Sequence, residues 1–233
     1  VNAASDTPFR VAVGGHRMTV THTDGFPVDP VTVDALVIGM AERYDVLVTV
    51  GESGAIPLVA VAEAKGNEAM GVIRSGPGTA PPPGVRPAEL TRRVLALSAL
   101  RAAPAVRLPR GRPDRLYEVV LGGGGDDYVW TINGEPHGHD GAPLRVEEGE
   151  RVRLAFENRT VMFHPMHLHG HTFQMVRAGV AGARKDTAII RPDETVTVDF
   201  VADNPGQWML HCHNLYHQEA GMMTTVSYVT DGA

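Results

Sequence analysis

Apolar residues in the first 75 positions come in short runs rich in Val, Thr and Ile, with Gly, Pro or Asp separating several of them. Such runs suit a pleated, half-buried surface, so 9–13, 18–22, 31–36, 44–50 and 56–62 are predicted β-strands. The pattern breaks at 76, where GPGTAPPPGVRP and then LRAAPAVRLPRGRP concentrate proline. Proline removes ladder donors and favours extended backbone, which predicts an interdomain linker over 76–114. The RRVLALSAL stretch within it reads equally as a strand or a docked segment. Strand-like runs resume at 116–121, 128–132, 144–146, 152–158, 171–177, 195–201, 206–211 and 223–229. Eight short strands with turn signals between them predict a β-sandwich or barrel over 115–233. The β-rich unit over 1–75 is thin for a closed sandwich, which usually takes about 100 residues. Helix signals are weak throughout.

A chain of 233 residues can bury a core in one large or two modest domains. Its net charge of −6, with no basic run, argues against nucleic acid as a partner. No apolar stretch approaches the ~18 residues that span a bilayer, so no membrane span is predicted. A single cysteine excludes an internal disulfide framework. Histidine changes the picture. Of eleven, seven (His164, His167, His169, His171, His211, His213 and His217) crowd two short segments.

The first segment is HPMHLHGH, from His164 to His171, and the second is HCHNLYHQEAGMM, from His211 to Met223. Side chains alternate faces in extended backbone, so His167 and His169 point the same way. In the HCH run, His211 and His213 share a face and Cys212 points to the other. The alternation sorts these residues into two sites. A soft thiolate, two imidazoles and a weak axial thioether form the ligand set of a blue copper centre. Cys212, His217 and Met222 supply that set from one loop, with His164 arriving from the other segment. Zinc is the competing metal, but structural zinc prefers several cysteines. The second site is imidazole alone, His167, His169, His211 and His213, and suits copper, zinc, iron or nickel. Cys212 lies between His211 and His213, so a few covalent bonds join the two sites and offer a route for electrons. These three residues are the candidate catalytic group.

HPMHLHGHTF and HCHNLYHQEAGMM resemble the two C-terminal copper signatures of the multicopper oxidases, the laccase and cuprous-oxidase group. GHRMTVTHTDGFPV with IGMAERYDVLV is similar to the copper-free middle domain of bacterial three-domain members. WTINGEPHGHDGAPLRVEEGERVRLAFENRT is similar to the start of their last domain. The resemblance implies an all-β fold of cupredoxin-like Greek-key sandwiches, one complete C-terminal domain over 115–233 and part of a second over 1–75. Implied cofactors are copper ions of type 1, type 2 and type 3, up to four per complete active unit. His164, Cys212 and His217 would hold type 1 copper with Met222 axial, His167 type 2, and His169, His211 and His213 the type 3 pair. A small-molecule reducing substrate (phenolic, aromatic or Cu(I)) would give single electrons to type 1. These would pass through Cys212 and its neighbouring histidines to the trinuclear cluster, where dioxygen is reduced to water. An extracytoplasmic location, secreted or periplasmic, is implied as well.

The family's trinuclear cluster takes eight histidines, half of them from an N-terminal domain, and this chain offers four in matching positions. The further His-x-His, His137-Gly-His139, lies in a Gly/Pro-rich loop where the family has no ligand. The chain also opens shortly before the GHRMTV strand, without the first half of a middle domain. The expectation is therefore a piece of a longer oxidase, with a missing N-terminal cupredoxin domain or another chain completing the cluster. Gln218 follows His217 where several bacterial members carry an acid that helps deliver protons, Glu219 comes one residue later, and Asp186 in the RKDTAII stretch reads as a proton-handling acid, an outer partner of a ligand or a loop charge. The alternative function is a stand-alone blue-copper electron-transfer or copper-binding module. Copper nitrite reductase fits poorly, because its type 2 site does not call for both histidine motifs. His16 and His22 read as core or surface residues, and His171 as the same or as an outer partner of a ligand. Met162, Met166, Met175, Met209, Met223, Trp130 and Trp208 read as packing.

Overall fold

The computed structural model describes residues 1–51, 54–138, 141–177 and 180–229. The first region contains strands β1 (Phe9–Val13), β2 (Met18–Thr23), β3 (Phe26–Val33), β4 (Ala35–Ile38), β5 (Tyr44–Leu47), β6 (Ala55–Ala62) and β7 (Glu68–Arg74). They make two sheets, ordered β4-β1-β6-β7 and β3-β2-β5. Alternation explains their shared core: Met18 and Val20 of β2 are buried while Thr19 and Thr21 face outward. Val13, Val28, Val33, Leu36, Ile38 and Ile56 pack around them. The predicted strand over 31–36 is divided between the sheets at Asp34. Its N–H donates to the Arg93 carbonyl (2.9 Å) and its carboxylate accepts from the Arg93 N–H (3.1 Å), so the 76–114 stretch holds the crossing point.

That stretch is docked rather than freely extended. Leu90, Leu95, Leu100 and Ala102 are buried, and Leu95 and Leu100 enter the core beneath β2 and β3. Three short 3-10 turns, at Ala88–Thr91, Leu97–Ala99 and Pro104–Val106, carry it along the surface. Backbone bridges join Val94 to Ala35, Ala102 to Val28, and Arg101 to Gly182. The leucines of RRVLALSAL anchor it as a docked segment, because each buried Leu stabilises by about 1.5–3 kcal/mol.

The second region contains β8 (Arg115–Gly124), β9 (Val129–Ile132), β10 (Leu144–Val146), β11 (Arg151–Asn158), β12 (His164–Leu168), β13 (Phe173–Arg177), β14 (Val180–Lys185), β15 (Thr187–Ile190), β16 (Thr195–Val201) and β17 (Gln207–Cys212). The one-turn helix α1 (Leu215–Glu219) and the strand β18 (Met223–Tyr228) complete it. Two sheets, β14-β13-β16-β11-β8-β9 and β10-β18-β17-β12-β15, enclose a core that includes Leu121, Leu154, Phe156, Met166, Phe173, Phe200 and Leu210. This is the predicted β-sandwich. β11 alternates strictly, with Val152, Leu154, Phe156 and Asn158 inward. β15 was not predicted because all four of its residues are buried, leaving no alternation to read. No helix is long and apolar enough to cross a membrane.

The two regions meet where β14 packs on β2 and β3, and the Thr23 hydroxyl donates to the Arg184 carbonyl (3.0 Å). Asp24, between β2 and β3, also accepts the Thr187 N–H (3.3 Å) at the start of β15, the strand paired with the histidine-bearing β12.

Candidate metal centre

The two histidine segments come together as paired strands. β12 and β17 run antiparallel, with Met166 opposite Cys212 and His167 opposite His211. The pleat turns His164, Met166 and Cys212 into the sandwich and sends His167 and His211 to the other face. Gly170, near the end of the first segment, adopts left-handed backbone with a φ of +68°. A Cβ there would also strike the Trp208 ring, so glycine is required between His169 and His171.

On the inner face His164, Cys212 and His217 are completely buried, and their ligand atoms all lie within 4.8 Å of one another. The Nδ1 atoms of His164 and His217 are 3.0 Å apart, and the Cys212 Sγ is 3.6 Å from the first and 3.8 Å from the second. The centre of that triangle is about 2.0 Å from each donor atom, close to a metal–imidazole bond length. This donor set fits a copper ion. His164 is braced from behind, its Nε2–H donating to the Thr160 hydroxyl (2.6 Å), and the Asn214 amide nitrogen lies 3.2 Å from His217 Nε2. Asn214 also donates its backbone N–H to the Cys212 sulfur (3.4 Å) and caps α1 by accepting the Tyr216 N–H (3.1 Å). Met222 is fully buried beside the group, with its N–H on the His217 carbonyl and its own carbonyl accepting the Cys212 N–H.

Trp130, read from sequence as packing, stacks on His217 at 4.0 Å between ring centroids and meets the edge of His164 at 5.2 Å. It forms an apolar wall of this pocket. Burial pushes the Cys212 thiol up to about 12, and the neighbouring Asn214 N–H only partly opposes it. Burial likewise lowers His164 to about 3 and His217 to about 4. A dry pocket keeps both imidazoles neutral and ready to ligate, while the thiolate forms only against a cation.

On the outer face the arrangement is open. His169 and His211 face each other with Nε2 atoms 2.9 Å apart, and the His167 ring lies 4.8 Å from His169 and 5.6 Å from His211. His213 is 5.7 Å from His211 and 5.9 Å from His167. His211 Nδ1 is 3.0 Å from the Cys212 carbonyl, and His167 Nδ1 is 2.8 Å from the Asp186 carbonyl. Each Nδ1–H donates there, which leaves Nε2 as the free donor atom of both rings. Burial lowers His211 to about 4 and also lowers His167, against the raising effect of Asp186. A hollow of about 290 Å³, lined by His167, His171, Asp186 and Asp203, opens beside them.

The remaining sequence candidates separate clearly. His171 places Nδ1 3.1 Å from the His169 carbonyl and Nε2 2.6 Å from the Tyr228 hydroxyl, so it braces the backbone of the histidine segment. Asp186 stands 3.8 Å from His167, whereas Gln218 and Glu219 lie on α1. His137 lines a separate hollow of about 540 Å³, with its N–H on the Gly221 carbonyl (2.9 Å); His139 lies outside the described residues. Thr160, Asn214 and the Trp130 stacking were not identified from sequence. Asn214 alone carried a signal, as a helix N-cap directly after His213.

A family model described as multicopper oxidase matches residues 112–231, just over half of the chain, and a second of that description matches 1–74. The chain belongs to the multicopper oxidase family. Multicopper oxidase MmcO of Mycobacterium tuberculosis is 53% identical over 230 residues, covering 98% of this chain and 45% of that protein. A copper resistance protein A homolog of Pseudomonas syringae pv. tomato is 27% identical over 316 residues, covering 97% of this chain and 53% of that protein. The crystal structure of Fet3p, a multicopper oxidase that functions in iron import, superposes with a TM-score of 0.81 at 21% identity. That match covers 98% of this chain and 54% of the other, and it gives the fold as cupredoxin-like. The chain spans about half the length of the curated relatives it matches. Copper is the cofactor of this multicopper oxidase family member, and the donor atoms around Cys212 suit it.

Proposed function

We propose that these residues form the electron-accepting half of a copper oxidase that takes single electrons from a small reducing substrate and passes them to dioxygen. The observation that carries the reading is the buried triangle of His164 Nδ1, His217 Nδ1 and Cys212 Sγ. In this reading His164, Cys212 and His217 hold type 1 copper with Met222 axial, His167 holds type 2, and His169, His211 and His213 serve the type 3 pair. Copper, when bound, supplies one-electron transfer at the inner pocket and dioxygen reduction at the outer face. Cys212 joins the two, because its carbonyl accepts from His211 while its sulfur faces inward. Trp130 and the buried walls exclude water from the pocket, so a ligand exchanges little and the site transfers electrons rather than binding substrate.

The outer face offers four imidazoles, half of a family cluster, and histidines from outside these residues complete it. An N-terminal cupredoxin domain or another chain is the proposed source. The domain division proposed is 1–75, 76–114 and 115–233, with 76–114 docked as described. Phenols, aromatic compounds and Cu(I) are the proposed donors, and the proposed location is extracytoplasmic, in keeping with relatives named copper resistance proteins and laccases. A second reading, a blue-copper electron-transfer module, is favoured by one fact: the inner donor set is complete within the chain.

Dioxygen uptake by the copper-loaded holoenzyme, supplied with Cu(I) or a phenol, decides between them. We expect uptake that Cys212→Ser and His211→Ala each abolish. Uptake that survives Cys212→Ser contradicts the proposed electron path, and no uptake with any donor favours the module.

A further inference from the structure

The copper-free first region reaches one of the outer histidines through a buried ionic cluster. Asp24, at the β2–β3 turn, Lys185, at the end of β14, and Glu42 are all buried. Lys185 Nζ is 3.1 Å from Asp24 Oδ2 and 3.3 Å from Glu42 Oε1. Asp24 Oδ1 accepts the Arg43 backbone N–H (2.8 Å), and its Oδ2 accepts the N–H groups of Asp186 (3.2 Å) and Thr187 (3.3 Å). Arg43 forks onto the Asp186 carboxylate at 2.7 and 2.8 Å and also donates to the Asp24 carbonyl (3.1 Å).

One peptide unit lies at the centre of this arrangement. The Asp186–Thr187 peptide gives its N–H to the Asp24 carboxylate and its carbonyl to His167 Nδ1 (2.8 Å) and to the Leu168 N–H (3.2 Å). A trans peptide directs its N–H and C=O in opposite directions, so the carboxylate and the imidazole bond to opposite ends of one dipole. Hydrogen bonds in such a chain polarise one another, and the carbonyl becomes a stronger acceptor for the ring N–H. Metal-bound histidines commonly donate their second N–H to a carboxylate or carbonyl that fixes the ring and raises its basicity.

We propose that Asp24 and Arg43 are positioning residues for His167, acting through the Asp186–Thr187 peptide, so that the copper-free region sets the orientation and basicity of a copper ligand it never touches. This rests on the reading of His167 as a type 2 ligand. Arg43 is suited to the task because its planar fork fixes both carboxylate oxygens of Asp186, which a lysine ammonium cannot do. Asp24 supplies the charge at the far end of the relay.

The test compares Arg43→Lys, Asp24→Asn and His167→Ala in the copper-loaded holoenzyme. Copper content, the type 2 EPR signal, the visible thiolate band of the inner pocket and the unfolding midpoint are recorded together. In Arg43→Lys and Asp24→Asn we expect the type 2 signal to shift or fall, with copper affinity at that position weaker by about 10–100-fold and the thiolate band retained. If Asp24→Asn does not fold, Arg43→Lys carries the same expectation. An unchanged type 2 signal in both variants overturns the proposal. So does a parallel loss of both signals with the unfolding midpoint, since that makes the cluster a general brace between the two regions. A type 2 signal that persists in His167→Ala overturns the ligand reading itself, and is distinguishable from either result.

Discussion

The inner pocket and the outer histidine face use the same residue type on adjacent strands, yet the first is closed and the second open. His164, Cys212 and His217 have no solvent exposure, bring their donor atoms within 4.8 Å of one another, and are walled by Trp130. His167 is only half-buried, the outer rings are spread over 4.8 to 5.9 Å between centroids, and a hollow lies beside them. A pleated strand supplies both faces at once, but only the face turned into its own sandwich is completed by its own fold. In the proposed reading the outer set is completed by histidines from elsewhere, as a cluster shared between domains would require.

Several experiments sharpen or break that contrast. The largest effect is expected from removing an inner ligand: His164→Ala should eliminate the visible thiolate band of the copper-loaded protein, whereas His169→Ala should leave it intact. A band lost equally in both variants would mean that the two faces are not independent. Next comes Trp130→Ala, which removes the wall stacked on His217 and should cost about 3–5 kcal/mol in a denaturant titration. A loss below 1 kcal/mol would show that the stacking contributes little to the pocket.

The pH dependence of the metal-free chain reads the same burial. His164, His211 and His217 are held at about 3, 4 and 4, against 6.5 for a free imidazole. Below pH 6.5 the unfolded chain binds protons that the folded chain refuses, so stability falls as pH drops from 6.5 toward 4. The Cys212 thiol, at about 12 against 9.0, keeps its proton when folded, so stability also falls as pH rises above 9. Urea midpoints should therefore form a plateau between about 6.5 and 9, and a midpoint unchanged from pH 7 to 4.5 would argue against neutral buried imidazoles. Asn214→Ala is the mildest change. Loss of the α1 cap should cost about 1 kcal/mol with the thiolate band retained, and a loss of the band would show that the Asn214 side chain is needed to hold the pocket.

Much of this was legible in the sequence, for identifiable reasons. The HCH and HLH runs start in strands, with His211–Cys212 in β17 and His167–Leu168 in β12, so a period of two assigned Cys212 and His211 to opposite faces before any register was known. The split of 31–36 at Asp34, the docking of RRVLALSAL and the buried TAII strand were not legible, because each depends on partners distant in sequence. The Arg43–Asp186 and Asp24–Thr187 contacts span 143 and 163 positions, and no local pattern in RYD or KDT announces them. Trp130 looked like any buried aromatic until its ring was placed on His217.

The most direct test of the central claim is a copper titration of these 233 residues alone, with copper per chain, the visible and EPR spectra and dioxygen uptake recorded together. The expected result is one tightly held copper with an intense thiolate band and no oxygen consumption, because the inner pocket is complete and the outer face is not. About four coppers per chain with oxygen uptake would contradict the account, since the outer cluster would then need no histidines from elsewhere.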